Sequence, residues 1–396
     1  MKILRIITSM NPALGGPCQG IRNSIPAMAK LGVQNEVLCF DNPEVKFIVN
    51  QGFKIHSVGP ARGPYSYCEG LDHWLLQNLG NYDIIIIHGL WLYNSYGTYR
   101  IWRNLKRAGK KVPRLFVMPH GMLDPYFQTS GDRRLKALRN WFFWKLVEKK
   151  VVNGSDGLLF TCEEELLLAR KTFKPYYPKR EMNVSYGIKK PPELKKNFFT
   201  EFLKKYPSLN ARPYWLFLSR IHPKKGVWNL IQAYIKLKKE NNEIPDLVIA
   251  GPGLQTSFGK KILKVAACKS IHFPGMLMGP AKWAAFYYCE AFILPSHQEN
   301  FGIAVVEALA CGRPVLISNK VNIWREIQNG NAGLVAEDTR EGTYALLKDW
   351  SELPESSRLK LGTSAVELFE HNFRIDQAAI KMTECFKTFL RPATVA

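Results

Sequence analysis

The eight cysteines of this 396-residue chain form no C-x-x-C pair; they stand singly at 18, 39, 68, 162, 268, 289, 311 and 385. Scattered thiols, several inside apolar runs, exclude a disulfide framework and read as reduced core residues, which places the protein in the cytosol. No uncharged stretch reaches membrane-spanning length, so no transmembrane helix is expected. The first eight residues run directly into a glycine loop, without the long apolar core of a secretion signal. No D-x-D occurs, which removes the usual carboxylate bridge between a metal ion and a diphosphate, and no metal is expected. Acidic side chains are scarce: 33 Asp and Glu stand against 55 Lys and Arg, a net charge of +22. Such an imbalance attracts phosphates, whether of nucleic acid, anionic lipid or nucleotide, and composition does not choose among them.

What is present is a soluble α/β pattern. A hydrophobic content of 46% with 22% charged residues fits a globular protein, and the length suits two domains, each with its own core. Apolar runs alternate with helical stretches from the start. Lys2 to Thr8 alternates basic and branched residues and reads as a strand, followed by a loop with Gly15-Gly16, a helix from about Ile21 to Leu31 and a second strand at 33–40. Residues 82–87 and 114–118 are continuous apolar runs of the kind buried on both faces of a parallel sheet. They end in His88-Gly89 and His120-Gly121, at the strand ends where open α/β sheets place ligands. A Gly and Pro-Pro segment at 187–192 reads as a linker, after which strand and helix patterns start again. The expected division is 1–195, 196–375 and a terminal amphipathic helix, 376–396.

The most informative stretch runs from Glu299 to Leu316. It follows the apolar run 291–296, opens a helix near Gly302 and closes at Gly312, with a proline two residues on. The start of such a helix offers free N–H groups to phosphate oxygens. Glu307 sits among Val305, Val306, Ala308 and Leu309, where an unpaired carboxylate is costly, so it should face a hydrogen-bonding partner. A diphosphate joining two hydroxylated rings would use both acids and the helix start; two solvated surface glutamates fit the spacing equally well. A second cluster, Arg220 and Lys225-Gly226 after the apolar strand 214–218, sets two cations beside another helix start.

The spacing Glu299 to Glu307 resembles the E-x7-E motif of the retaining glycosyltransferases of family 4. Arg220 with Lys225-Gly226 resembles the segment that holds the donor's diphosphate there. The resemblance covers nearly the whole chain. It implies a GT-B architecture: two Rossmann-like domains facing across a cleft, with the C-terminal helix returning to the first domain. It implies Glu299 beside the transferred sugar, Glu307 on the ribose, Gly302 and Ile303 at the phosphates, and Gly251 in a turn near the nucleotide. Gly15 and Gly16 would reach the donor's sugar and phosphates. His120, in His-Gly-Met-Leu-Asp-Pro, resembles a loop of bacterial polysaccharide members whose histidine lies beside the donor sugar. The expected reaction is metal-independent transfer, with retention, from a nucleotide-diphosphate sugar to a glycan or lipid-linked hydroxyl. A UDP-sugar is favoured over a GDP-sugar, and no other cofactor is expected. Two alternatives are a nucleotide-sugar epimerase, for which Asp124 is the nearest acidic partner to His120, and a nucleic-acid-binding protein, which lacks recognisable motifs here.

Residues 131–152 are the most basic segment, with Trp141-Phe-Phe-Trp144 at its centre. Helical spacing puts Leu135, Leu138, Phe142 and Leu146 near one face and Trp141, Trp144 and Lys145 elsewhere. Either that face packs on the core, or it rests on an anionic membrane with Arg133, Arg134, Lys136, Arg139, Lys149 and Lys150 near phosphates, at the inner face of the cell membrane.

Overall fold

A computed structural model describes residues 1–48, 52–129, 134–209 and 212–390. The chain forms two compact units: Met1–Gly187 with Ile375–Ala396, and Ile188–Arg374. The first boundary falls before the expected 195 because residues just past it are tied to the second unit. Ile188 N–H donates to the Phe373 carbonyl at 2.9 Å, and the Tyr287 hydroxyl donates to the Pro192 carbonyl at 2.9 Å.

The first unit carries seven parallel strands: β1 (Lys2–Ile6), β2 (Gln34–Cys39), β3 (Ile55–Ser57), β4 (Ile84–His88), β5 (Arg114–Met118), β6 (Gly157–Phe160) and β7 (Glu181–Asn183). Their order is β3-β2-β1-β4-β5-β6-β7. β4 shows why the continuous apolar run was needed. Ile85 and Ile87 point into one cluster with Leu4, Leu115 and Trp144, while Ile84 and Ile86 join Ile3, Phe116 and Met118 on the other side. Alternate residues thus face opposite layers, and both layers are covered. The helix after β1 spans Gly16–Ala29, with a proline in its first turn. It therefore starts earlier than periodicity suggests, and Gly15-Gly16 lie at its head. The terminal helix, Ile375–Leu390, supplies Ile375, Ala379, Met382 and Phe386 to the second of these clusters.

The second unit holds β8 (Tyr214–Leu218), β9 (Asp246–Ala250), β10 (Ile271–Gly275), β11 (Ala291–Leu294), β12 (Val315–Ser318) and β13 (Gly333–Ala336). All pair in parallel, in the order β10-β9-β8-β11-β12-β13. In each sheet the order reverses beside the first strand, between β1 and β4 and between β8 and β11. Loops leaving the two strands at such a point diverge and leave a crevice at their carboxyl ends. All eight cysteines are free thiols, six of them buried. No helix among the described residues is long and apolar enough to cross a membrane.

Phe386 is fully buried and packs on Phe116, ring centroids 5.3 Å apart. Phe386→Ala is expected to cost about 3–5 kcal/mol by lost burial and an unfilled cavity. A shift of the urea midpoint with unchanged slope is the expected readout; an unchanged midpoint would show that the terminal helix adds little to the first unit.

Candidate active site

In the second unit the loops after β8, β9 and β11 converge because glycines allow backbones to touch. Gly226, at φ 70°, follows the turn Pro223–Lys225; a Cβ there would lie 1.9 Å from the Pro295 carbonyl oxygen. Only glycine accepts both that conformation and that approach. Gly251 likewise presses on Ser219, where a Cβ would meet the carbonyl oxygen at 1.9 Å. The contacts bring Lys225 to Glu299: the Lys225 ammonium is salt-bridged to Glu299 Oε2, with 9% and 22% of the two side chains exposed. The backbone of Glu299 is fixed independently, its N–H donating to Lys320 O at 2.9 Å and its carbonyl accepting from Asn322 N at 3.0 Å.

Gly302 caps the helix Ile303–Ala310 in the left-handed region, and Ile303 is its first residue, half-buried. Arg220 is exposed just beyond β8. Glu307, one turn further along the helix, has 12% of its side chain exposed and accepts from Lys282 Nζ at 2.5 Å. Burial raises its pKa, and Lys282 opposes the rise. Both acids of the expected motif are thus matched by a lysine. Sequence spacing identified Lys225 but not Lys282, which precedes Glu307 on a separate helix, Gly279–Tyr288.

In the first unit, β4 and β5 end in two histidines that touch. His88 Nδ1 and His120 Nε2 are 2.9 Å apart, and the rings stack with centroids separated by 5.2 Å. His120 is half-buried, with φ 54°. Burial, then the charge of Arg5, pushes its pKa down to about 3; His88 is lowered by burial, by His120 and by Arg5. Arg5 is itself buried, its Nε donating to Asn35 Oδ1 at 3.0 Å. Two neutral imidazoles can share one proton along the Nδ1···Nε2 contact, one donating and one accepting. Gly15 and Gly16 are placed beyond the end of β1, with open space where each Cβ would stand. Asp124 Oδ1 accepts from Tyr126 N at 2.8 Å and starts the turn Tyr126–Thr129.

The basic segment lies beside this loop. Arg133, with residues 130–132, is outside the described residues. From Arg134 onward the segment is a helix to Phe143, a π turn at Trp144–Glu148 and a short helix, Lys149–Gly154. Leu135 is 85% exposed and Leu146 65%, with Leu138, Trp141 and Phe142 near half. The core-packing alternative fails for this face, which looks outward. The π turn changes register and sends Trp144 inward instead, stacked on Phe173 with centroids 4.8 Å apart. Glu148, fully buried, joins the segment to the β4 loop: Oε1 accepts from Trp91 N at 2.8 Å and Oε2 from Ser95 Oγ at 2.7 Å.

Among known families, the model described as "Glycosyl transferases group 1" matches residues 198–365, and "Glycosyl transferase 4-like domain" matches 15–182. Lipopolysaccharide 1,2-N-acetylglucosaminetransferase of Salmonella typhimurium is 27% identical over 98% of this chain and 99% of that protein. O-antigen chain mannosyltransferase B of Escherichia coli is 30% identical over 34% of this chain and 35% of its own length. The matched stretch spans about a third of the length of the first curated relatives. Anabaena Alr3699/HepE, solved in complex with UDP, superposes with a TM-score of 0.73 at 14% identity, covering 98% of this chain and 100% of that one. The fold is that of these two-unit GT-B structures.

Burial raises Glu148 to about 7, against hydrogen bonds from Ser95 and Trp91 that lower it. A carboxyl raised in the folded state contributes stability that is complete below its ordinary value and lost as pH rises through 7. Relative to Glu148→Gln, the wild-type protein should therefore lose about 3 kcal/mol between pH 4.5 and 8. Parallel denaturation curves across that range, with a constant difference between the two proteins, would refute it.

Proposed function

The chain belongs to the group 1 glycosyl transferases, and we propose that it moves a sugar from a nucleotide-diphosphate sugar to a hydroxyl of a glycan or lipid-linked acceptor. The observation that carries the reading is the Lys225–Glu299 pair beside exposed Arg220 and the capped start of the helix at Gly302. Cleavage of the sugar–phosphate bond leaves negative charge on the diphosphate. Arg220, Lys225 and the N–H groups near Ile303 supply the counter-charge and donors, so the residues present can stabilise the leaving group without a metal. Glu299, held by Lys225, orients sugar hydroxyls as an acceptor; a carboxylate already engaged by an ammonium is a weak nucleophile. Retention then follows a front-face route, in which the departing phosphate oxygen takes the acceptor's proton as the hydroxyl adds to the anomeric carbon. His120, kept neutral at physiological pH, serves as a hydrogen-bonding group for a sugar hydroxyl instead of a cationic acid. Glu307 takes the ribose, and Gly251 and Gly302 let backbone approach the nucleotide.

The donor is inferred to be a UDP-sugar, following the UDP complex of the Anabaena protein, and the acceptor an intermediate of surface polysaccharide assembly, following the lipopolysaccharide and O-antigen relatives. The exposed face of Leu135, Leu138, Trp141, Phe142 and Leu146, flanked by Arg134, Lys136 and Arg139, supports docking on an anionic membrane. Apolar side chains would enter the headgroup layer while the cations meet phosphates.

UDP at a hundred times its Kd should stabilise the protein by about 2.7 kcal/mol, read as a rise in melting temperature that GDP at equal concentration does not reproduce. Glu299→Ala should lower kcat by about a hundredfold or more while changing UDP affinity little; no shift with either nucleotide would overturn the donor reading. Replacing Leu135, Trp141 and Phe142 by serine should abolish co-sedimentation with phosphatidylglycerol vesicles at low salt. Retention of binding in that variant, or none in the wild type, would remove the membrane surface.

A further inference from the structure

The Glu307 carboxylate has a partner that lies outside the motif. Lys282 Nζ donates to its Oε1 at 2.5 Å, and the same ammonium lies over the Trp283 ring, 4.8 Å from the centroid. The lysine is thus held from two sides, with 24% of its side chain exposed. Glu307 needs such a partner. Its helix is lined by fully buried Val305, Val306, Ala308 and Leu309, and a carboxylate in those surroundings is driven towards its neutral form. Lys282, from the Gly279–Tyr288 helix, is the charged group facing it. Cys311, at the end of Glu307's own helix, is a thiol pushed up to about 12 by burial and is neutral. β11 and β12 present apolar side chains to this helix. Of the charged groups on the packed segments 355–368 and 369–373, Arg358 is turned to Glu290 and Glu370 to Lys190 and Arg374.

We propose that Lys282 is a positioning residue for nucleotide recognition: anchored over Trp283, it keeps the Glu307 carboxylate ionised and oriented to accept the hydroxyls of a ribose. The inference rests on the reading of Glu307 as the ribose carboxylate. An ionised carboxylate accepts at both oxygens, so the one engaged by Lys282 leaves lone pairs for a diol, whereas a neutral carboxyl would offer a donor where an acceptor is needed. Lys282 therefore acts through Glu307, and its effect must vanish when Glu307 cannot ionise.

The test uses the full-length protein, with UDP as probe and calorimetric Kd values from pH 6 to 9. Removing the ammonium in Lys282→Met moves Glu307 further towards neutrality. Its carboxylate form is then lost as pH falls, and the weakening relative to wild type should be about tenfold or more near pH 6 and shrink as pH rises. Taking the ratio to wild type cancels the titration of the diphosphate itself. Lys282→Arg, which keeps the charge, should restore most of the affinity, and thermal melts of each variant establish that it folds. Glu307→Gln should weaken UDP at every pH, and adding Lys282→Met to it should change little further. If Glu307→Gln binds like wild type, the ribose reading itself falls. If Glu307→Gln weakens binding but Lys282→Met does not, or does so equally at every pH or additively with Glu307→Gln, the positioning role falls alone.

Discussion

A carboxylate surrounded by apolar side chains is unstable as an ion unless a cation reaches it, and Glu307, on a helix lined by fully buried apolar residues, is under that constraint. Glu299 is matched by Lys225 and Glu307 by Lys282. Each pair joins different elements: a turn after β8 to the loop after β11 in one case, two neighbouring helices in the other. Breaking either pair by removing the lysine leaves an uncompensated charge, a larger cost than the pair's net contribution to stability. These pairs are therefore poor candidates for mere stabilisers and good ones for holding acceptor oxygens in fixed positions. They also explain the tight glycines nearby, since Gly226 at φ 70° is what lets the Lys225 turn lie against Pro295.

The parallel sheets decide where such pairs can form. In both units the strand order reverses beside the first strand, and the candidate site residues stand at that reversal. Gly15-Gly16 follow β1 and His88 ends β4; Arg220 and Lys225 follow β8, and Glu299 follows β11. Strands buried on both faces have no side chains to spare for solvent or ligand, so function moves to their ends. β4 is the extreme case, four fully buried isoleucines followed at once by a histidine in contact with His120.

This logic also sets what the amino-acid sequence could reveal. Long apolar strands, the glycine turns and the two acids eight positions apart are local patterns, and they located both sheets and the Lys225–Glu299 cluster. Lys282 was illegible because its partner lies on another helix, brought near only by packing. Arg5 was illegible for a related reason. The alternation of 2–8 marks a strand without saying what covers it; the terminal helix and the helix Gly16–Ala29 cover this side of β1, and the guanidinium ends beside the sulfurs of Met28 and Met382. The basic segment was legible as a helix with an apolar face, yet periodicity says nothing about what faces it. The π turn at Trp144–Glu148 broke the period as well, separating Trp144 from its neighbours in a way no regular helix would.

Arg5 gives the first unit an electrostatic character opposite to that of the second. Burial, and then the nearby guanidinium of Arg5, disfavour a second positive charge here, so His88 and His120 stay neutral well below physiological pH. Neutral imidazoles hydrogen-bond hydroxyls without attracting anions. Arg220 and Lys225 differ in kind: both are cations, one exposed and one paired with Glu299. A protonated His120 would bring a second cation close to Arg5 in surroundings that already exclude water, and the buried guanidinium works against it together with burial.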